Sequence, residues 1–302
     1  MTLSRTRNAY RLDLADVRLK GQVTAERFVD GTLKQVRHPV VPMRAAPDAQ
    51  RGLENEALLG EEVMVFDDAG GWAWGQLVRD NYVGYFPSVA LSAEILTPTH
   101  RVKAPGTFIY PEPDIKRPPL AHLSLNALLT VTSNDDRFVQ LATGGYVFAR
   151  HVSPADTFAR DFVEVADNLA QTPYLWGGRT RHGLDCSGLI QLAMEAAGLV
   201  CPRDSGMQAE ELGENVLIPA DLEGLNRGDL IFWPGHAGVM IDGVMLLHAN
   251  GYHMATVIEP LSQAARRIRK GGSDASGYGP DISGIRRLPA LGSGVGSGRK
   301  SG

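Results

Sequence analysis

Two stretches of the chain carry the same alternation of apolar and polar positions. The first, GEEVMVFDDAGGWAWGQLVRDNYVGYFPSVAL, covers residues 60–91, and the second, NALLTVTSNDDRFVQLATGGYVFARHV, covers residues 126–152. In each, a short β-rich run leads through an acidic turn to a second run that ends in Gln-Leu, and a Tyr-Val pair follows. Short strands with such turns predict a small barrel of about five or six strands that occurs twice.

Beyond residue 153 the alternation gives way to helical spacing. The segment between the two stretches is rich in proline and predicts a linker and a loop: Pro98, Pro105, Pro111, Pro113, Pro118 and Pro119. The apolar positions that follow residue 153 predict an amphipathic helix: Phe158, Phe162, Val165, Ala166 and Leu169. We therefore place the main domain boundary near residue 153.

A second helix and a set of strands follow this boundary. In GLDCSGLIQLAMEAAGL, residues 183–199, Asp185 is a good N-cap, and the apolar residues after it recur at helical spacing as far as Val200. The segment GDLIFWPGHAGVMIDGVMLLHAN, residues 228–250, predicts three consecutive strands, with turns at Pro234-Gly235 and Asp242-Gly243.

Composition narrows the classes of function. The 302 residues are 43% hydrophobic, enough for two or three packed domains. A net charge of −4 without a long Lys/Arg run argues against a nucleic-acid partner. The first 30 residues lack the apolar core of a signal peptide, and no stretch is long and apolar enough to span a membrane. We expect a cytoplasmic protein without a membrane partner, and a disordered Gly/Ser-rich tail over residues 291–302.

The two cysteines have different surroundings, and they form neither a disulfide framework nor a CxxC metal pattern. Cys186 falls in the first turn of the second helix, where free N–H groups and the helix dipole stabilise a thiolate and lower the thiol pKa. The small residues Ser187 and Gly188 leave room for a substrate. A buried packing role is the alternative for Cys186, and it is our interpretation of Cys201, beside Pro202.

Of the eight histidines, His236 and His248 are the candidates for a base. His236 opens the second of the three strands and His248 ends the third, so one imidazole can take the thiol proton while the other orients it. Two unrelated strand-end histidines are the alternative. A regular two-residue turn at Asp242-Gly243 would point them to opposite faces, so the catalytic interpretation requires an odd-length loop or a bulge. His182 could touch substrate or be incidental. The histidines of the barrel half are interpreted as packing or surface residues: His38, His100, His122 and His151.

The segments LDCSGLI, RGDLIFW, GHAGVMI and LLHAN resemble the NlpC/P60 family of papain-like cysteine peptidases over about residues 154–290. The repeated barrels resemble bacterial SH3 domains. The resemblance implies an α+β fold, in which a papain-like NlpC/P60 catalytic domain is preceded by two small SH3-like β-barrels. The domains would be an N-terminal segment (1–17), barrel 1 (18–95), barrel 2 (96–153), the catalytic domain (154–290) and the tail (291–302).

This combination resembles the dipeptidyl-peptidase branch, which cleaves murein stem peptides after γ-D-glutamate when the N-terminal L-Ala is free. The resemblance implies a murein peptide as partner, no cofactor and no metal. Cys186 would be the nucleophile, His236 the general base and His248 the orienting third member. Residues that would contact substrate or the cleft are Ser187, Asp204, Tyr82 (with Tyr85 as the alternative), Trp176 and Tyr174, and Glu61 would be the acidic barrel residue. A structural role is the alternative for the barrel residues, and packing at a helix end is the alternative for Trp176 and Tyr174.

Other functions stay open at this point. The chain could be a wall-binding module with an inert catalytic half, although the intact Cys186, His236 and His248 argue against that. It could be an open-groove endopeptidase, or an amidase or acyltransferase on the same fold. A metalloprotein that uses these three residues lacks the close ligand spacing of zinc sites. The sequence decides neither the third stem residue nor the oligomeric state.

Overall fold

A computed structural model describes residues 3–219, 221–269 and 282–289 of the chain. The predicted tail over residues 291–302 lies outside the described residues. In the described part, two β-barrels precede a mixed domain of helices and strands, which confirms the expected α+β fold. No helix of this part is long and apolar enough to cross a membrane.

The first barrel is built mainly from one sheet of seven strands in the order β5-β4-β8-β7-β6-β3-β9. This is more than the five or six strands expected, because β3, β4 and β5, which precede the stretch of residues 60–91, join the same sheet. The strands of this region are β1 Leu14–Asp16, β2 Arg27–Val29, β3 Thr32–Val36, β4 Val40–Arg44, β5 Leu53–Leu58, β6 Glu62–Ala69, β7 Trp72–Leu77, β8 Val83–Pro87 and β9 Leu91–Ser92, with short 3₁₀ helices at Val17–Leu19 and Ser88–Ala90.

The second barrel repeats the end of the first, as three strands, a 3₁₀ helix and a short closing strand. Its sheets have the orders β12-β11-β16-β15-β14 and β13-β10-β17. The elements are β10 His100–Val102, β11 Gly106–Tyr110, β12 Ala121–Ser124, β13 Leu128–Leu129, β14 Val131–Asn134, β15 Phe138–Leu141, β16 Tyr146–Phe148, the 3₁₀ helix Ala149–His151 and β17 Val152–Pro154.

The third unit packs helices on a six-stranded sheet of order β20-β25-β21-β22-β23-β24. Leu189, Leu192 and Ala193 of α2 are buried in one core with Val239 and Leu247 of the central strands. The elements are α1 Phe162–Asp167, β18 Arg179–Thr180, β19 Gly183–Leu184, α2 Cys186–Ala196, α3 Ser205–Glu211, β20 Glu214–Val216, β21 Leu230–Trp233, β22 His236–Met240, β23 Met245–Asn250, β24 Ala255–Pro260, α4 Leu261–Arg269 and β25 Gly284–Arg287.

Both predicted helices are shorter than their apolar spacing suggested. Phe158 precedes α1 and is 47% exposed, and it stacks on the guanidinium of Arg101 in the second barrel. At the other helix, Gly198 adopts a left-handed φ of 76° after the last turn, a conformation that ends α2 and that glycine favours. Val200 therefore lies beyond the helix and is 86% exposed. In both cases apolar spacing continued past the residues that form the helix.

The hairpin between β22 and β23 has the odd-length loop that the catalytic interpretation required. Val239 pairs with Leu247 and Met240 with Leu246, so a three-residue loop, 242–244, connects the strands. The carboxylate of Asp242 accepts the N–H groups of the two residues that close this loop, both at 2.7 Å. A two-residue turn is thus wrong for this hairpin, and the side chains at positions 236 and 248 share one face of the sheet.

The first barrel is joined to the third unit by buried charges. Arg179 is fully buried and donates to Glu61 of the barrel at 3.0 Å and to Glu195 of α2. Arg79 of the barrel lies within 3.0 Å of Glu61 and 2.6 Å of Glu195. Each carboxylate thus meets two guanidinium groups, which offsets the loss of hydration on burial. Second-barrel contacts include Asn126 Nδ2, which donates to a backbone carbonyl of α2 at 2.8 Å.

Replacing the guanidinium of Arg179 should destabilise the protein strongly. Arg179→Met leaves two carboxylates short of a cation in a buried interface, which costs about 3–5 kcal/mol. Arg117→Met is the matched control, because Arg117 and Glu112 form an exposed pair worth at most about 1 kcal/mol. Urea unfolding of the whole chain measures both. Equal unfolding midpoints for the two variants would contradict a cohesive role for this network.

Candidate active site

The start of α2 is held by one buried carboxylate. Asp185 is the N-cap: its Oδ1 accepts the N–H of Gly188 at 2.7 Å, and its Oδ2 accepts the N–H of Gly177 at 2.9 Å. Arg203 donates to both oxygens, at 2.9 Å and 2.6 Å. Capping, loop closure and ion pairing therefore converge on the residue before Cys186 and fix the position of its thiol.

The loop before this helix lies directly against the first barrel. Gly177 has a left-handed φ of 74°, and a Cβ there would lie 2.7 Å from the carbonyl oxygen of Leu53 on β5. Only glycine allows this approach without strain. The neighbouring Trp176 is 55% exposed, whereas Tyr174 is half-buried against the core of the third unit. Trp176 is therefore accessible near the start of α2, and Tyr174 has a packing role.

Cys186 is 6% exposed and lies beside the strand that carries His236. Its Sγ is 3.9 Å from the carbonyl oxygen of Gly235, and the N–H of Ala237 hydrogen-bonds to it. Burial, together with the nearby charge of Asp185, raises the pKa of the Cys186 thiol to about 12. The expectation of a lowered pKa is wrong, because desolvation and the N-cap carboxylate outweigh the helix dipole here.

The two candidate histidines form a hydrogen-bonded pair. His236 Nε2 is 2.8 Å from His248 Nδ1, and both side chains are buried. Burial lowers the pKa of His236 well below 6.5, and the adjacent His248 adds to this effect. Burial also lowers the pKa of His248, although Glu259 opposes the shift. The resting site therefore favours a neutral thiol beside neutral imidazoles.

Sequence reasoning missed Glu259, which extends this chain of hydrogen bonds. Its Oε1 is 2.8 Å from His248 Nε2, and Arg267 donates to both of its oxygens, at 2.6 Å and 2.5 Å. Burial alone would raise the pKa of Glu259, but the hydrogen bonds from His248 and Arg267 lower it to about 2. The pairing of β23 with β24 is what places Glu259 near His248. Leu246 pairs with Glu259, so Glu259 is a diagonal neighbour of His248 on the adjacent strand.

The first barrel contributes a tyrosine to the same region. The hydroxyl of Tyr82 is 3.2 Å from both carboxylate oxygens of Asp204, the residue after Arg203. Asp204 is the N-cap residue of α3, yet its side chain makes no capping bond. The other candidate, Tyr85, instead accepts a hydrogen bond from Arg11 of the N-terminal segment at 3.1 Å. Tyr82 and Asp204 are therefore brought together, and Tyr85 is not part of this group.

A second carboxylate, Glu54 of β5, lies near enough to Asp204 to feel its charge. Burial and the negative charge of Asp204 raise the pKa of Glu54. Burial is also the main cause that raises the pKa of Asp204. Sequence reasoning guessed Glu61 instead, but Glu61 is engaged in the buried network with Arg179. The sequence around Glu54 does not indicate a role at this site, because only the docking of the barrel brings β5 to Asp204.

Two other predicted residues have their side chains engaged elsewhere. The hydroxyl of Ser187 accepts from Arg203 at 2.9 Å and lies 3.3 Å from Asp185, so it supports the start of α2. The ring of His182 packs edge-on against His122 of the second barrel, 4.5 Å away. Over residues 3–219, 221–269 and 282–289, no group of three or more His, Cys, Asp or Glu side chains is arranged to hold a metal ion.

Comparisons with known proteins agree with this architecture. Residues 171–267 match the model of the NlpC/P60 family, and residues 43–91 match that of the bacterial dipeptidyl-peptidase SH3 domain. A γ-D-glutamyl-L-lysine dipeptidyl-peptidase of Bacillus cereus is 30% identical over 244 residues, 70% of this chain and 71% of the relative. Dipeptidyl-peptidase 6 of Lysinibacillus sphaericus is 26% identical over 68% of this chain and 83% of the relative.

The fold itself is also found in a solved structure. The crystal structure of an NlpC/P60 family protein from Bacillus cereus superposes with a TM-score of 0.68 at 23% identity. The match covers 85% of this chain and all of that one. The overall arrangement of the barrels and the mixed domain is therefore similar in the two structures.

The thiol of Cys186 should be protonated in the free protein at neutral pH. With its pKa raised to about 12, the thiolate forms only as the solution becomes strongly alkaline. The ultraviolet thiolate absorbance, taken as the difference between wild type and Cys186→Ser, should stay near zero at neutral pH and rise toward pH 12. A full thiolate signal at neutral pH would show instead that an ion pair with His236 exists at rest.

Proposed function

Because the chain belongs to the NlpC/P60 family of peptidases, we propose that it is a cysteine peptidase that hydrolyses the γ-D-glutamyl–diamino acid bond of murein stem peptides with a free N-terminal L-Ala. The observation that carries the proposal is the meeting of two units at one site. Tyr82 of the first barrel bonds to Asp204, and the adjacent Arg203 holds the turn that presents Cys186.

The relatives support the dipeptidyl-peptidase assignment. The relative from Bacillus cereus and a second one from Bacillus subtilis, 27% identical over 65% of this chain, are both named γ-D-glutamyl-L-lysine dipeptidyl-peptidases. The matched barrel model is described as a dipeptidyl-peptidase domain. Whether lysine or diaminopimelate follows γ-D-glutamate in the substrate of this chain is decided by assaying both peptides.

The proposed reaction begins with a neutral Cys186 thiol and a neutral His236 imidazole. As the Cys186 sulfur attacks the γ-carbonyl carbon, the thiol proton moves to His236, and N–H groups at the start of α2 stabilise the oxyanion. The C–N bond then breaks, and protonated His236 gives its proton to the leaving amine of the diamino acid. Water, deprotonated by His236, hydrolyses the thioester, releases L-Ala-γ-D-Glu and returns the thiol.

Glu54, Asp204 and Tyr82 would bind the ammonium group of L-Ala. The charge of Asp204 helps to raise the pKa of Glu54, and burial raises the pKa of both carboxyl groups, so a bound cation would stabilise both ionised carboxylates. Charge-assisted hydrogen bonds to a cation are about twice as strong as neutral ones. Because Tyr82 and Glu54 come from the barrel, this wall would also block a longer chain on the N-terminal side of L-Ala. The site would thus remove dipeptides and would not cut within long chains.

A role in peptide recycling in the cytoplasm is part of the proposal. A site that requires a free L-Ala amine suits stem peptides that have already been released from their sugar chains. Fractionation of cells would locate the protein, and deletion of its gene should cause free tripeptides to accumulate. Recovery in the cell-wall fraction without such accumulation would contradict the recycling role.

Cys186 should be the single nucleophile. Cys186→Ala should abolish release of L-Ala-γ-D-Glu, as measured by mass spectrometry. Cys201→Ala should keep most of the activity, because Cys201 is buried in the core and accepts a hydrogen bond from Gln208 at 3.4 Å. Equal losses in the two folded variants would refute this assignment. Transfer of the dipeptide to an added amine, in preference to water, would instead identify an acyltransferase.

Recognition of the peptide should depend mainly on the contact between the free amine of L-Ala and Asp204. Asp204→Asn should lower kcat/KM on L-Ala-γ-D-Glu-L-Lys or its diaminopimelate analogue by about 30-fold to several-thousand-fold, equivalent to about 2–5 kcal/mol. Tyr82→Phe removes one hydroxyl and should cost less, about 0.5–1.5 kcal/mol. Tyr85→Phe is the control, since that hydroxyl bonds to Arg11.

The matched substrate is the same peptide with an acetylated L-Ala. Wild type should cleave it far more slowly than the free peptide, and Asp204→Asn should bring the two rates closer together. If wild type cuts both peptides equally well, the site is the open groove of an endopeptidase and the barrels do not contact the amine.

A further inference from the structure

We propose that Glu259 is a positioning residue that sets the tautomers of both active-site histidines, and that Asn250 is placed to impose the opposite tautomers when Glu259 is absent. The inference rests on the proposed thiol chemistry of Cys186 and His236. It adds a residue outside the Cys186, His236 and His248 group, and it explains an otherwise contradictory set of contacts around one nitrogen atom.

The contacts of Glu259 fix the positions of two protons. Arg267 binds both carboxylate oxygens, so Glu259 is ionised and accepts hydrogen bonds only. At 2.8 Å from Oε1, His248 Nε2 must therefore carry a proton. In a neutral His248 this leaves Nδ1 as the acceptor, and the 2.8 Å contact with His236 Nε2 requires the proton on His236.

The consequence is a free lone pair where the reaction needs one. With Nε2 of His236 protonated, Nδ1 is the basic nitrogen of that neutral imidazole. Cys186 Sγ lies among the backbone groups of Gly235 and Ala237, which flank His236. Nδ1 is the nitrogen that His248 leaves unoccupied, and it is therefore the atom available to take the thiol proton.

Asn250 makes the opposite demand on the same atom. Its Oδ1 accepts the N–H of His253 at 2.8 Å and lies 3.1 Å from His253 Nδ1, which fixes the orientation of the amide. Its Nδ2 is consequently directed at His248 Nε2, 3.0 Å away. An amide N–H can only donate, so this contact is satisfied only when Nε2 is unprotonated. Glu259 prevails because a carboxylate accepts a stronger hydrogen bond than a neutral amide donates.

Without Glu259, the whole sequence of donors reverses. Asn250 would donate to Nε2 of His248. The proton of the neutral His248 ring would then lie on Nδ1 and be donated to Nε2 of His236. The proton of His236 would then lie on Nδ1, where it prevents acceptance of the thiol proton. The other charged or titratable groups that act on these rings are Arg267 and His253. Among the contacts of the described residues, neither of them supplies an acceptor for Nε2 of His248.

The test removes the carboxylate of Glu259 that accepts from His248 Nε2, and then supplies a new carboxylate at position 250. Glu259→Ala should lower kcat/KM on the murein tripeptide by about 10²–10⁴-fold, the range seen when an imidazole loses its supporting carboxylate. Glu259→Ala/Asn250→Asp should recover at least about tenfold of this loss, since the new carboxylate accepts from Nε2 and keeps its bond from the His253 N–H. Glu223→Ala, an exposed glutamate, is the control and should leave kcat/KM unchanged.

A readout without substrate separates this inference from the proposed function. Alkylation of Cys186 by iodoacetamide at neutral pH, followed by peptide mass, should slow in Glu259→Ala and recover in the double variant. Nitrogen-15 NMR of wild type should show Nε2 protonated on both histidines, which decides the question even if a variant does not fold. Protonation of His236 at Nδ1 in wild type, or no recovery in a folded double variant, would overturn the inference. Alkylation that behaves as expected without tripeptide cleavage overturns only the proposed function.

Discussion

The buried ion pair of Asp185 and Arg203 is the interaction on which the rest of the site depends. Arg203 is almost fully buried, and it also donates to Asn55 of the first barrel and to the hydroxyl of Ser187, each at 2.9 Å. One guanidinium group thus ties the barrel, the start of α2 and the turn that carries Asp204. Its rigid fork of donors suits this task, whereas a lysine would supply a single point charge.

This arrangement explains why the thiol of Cys186 and the imidazole of His236, the proposed catalytic groups, favour their neutral forms. The pair leaves a carboxylate directly before Cys186, and the same close packing removes water from the thiol and from His236. Both effects oppose a thiolate, and burial opposes an imidazolium. In the proposed reaction the proton would be transferred as the new bond forms, when the developing negative charge moves to an oxygen that N–H groups can stabilise. In such a site the positions of individual protons, which we propose that Glu259 sets through His248, matter more than in a site with a preformed ion pair.

Local sequence patterns predicted the parts of the site that depend on neighbouring residues. The cysteine after an N-cap aspartate and the strand-end histidines follow from spacing within a few turns or strands. The odd-length hairpin followed only from the requirement that both histidines share one face. Asn55, Glu54 and Glu259 could not be predicted in this way. The first two reach the site only through domain docking, and Glu259 only through the register of β23 with β24. Apolar spacing overextended α1 at its start, to Phe158, and α2 at its end, to Val200, because spacing alone does not show where a helix begins or ends.

Division of the site between two units ties specificity to the rigidity of their interface. Tyr82 and Glu54 lie on the barrel, whereas Asp204 follows Arg203 in the third unit, so a shift of about 1 Å between the units separates the groups that would bind the ammonium. The buried network of Arg79, Arg179, Glu61 and Glu195 resists such a shift, because any displacement leaves a charge without its partner in a dry interface. In the proposed function the barrel therefore does more than tether the protein: its rigid docking would supply the wall that determines which peptides can enter.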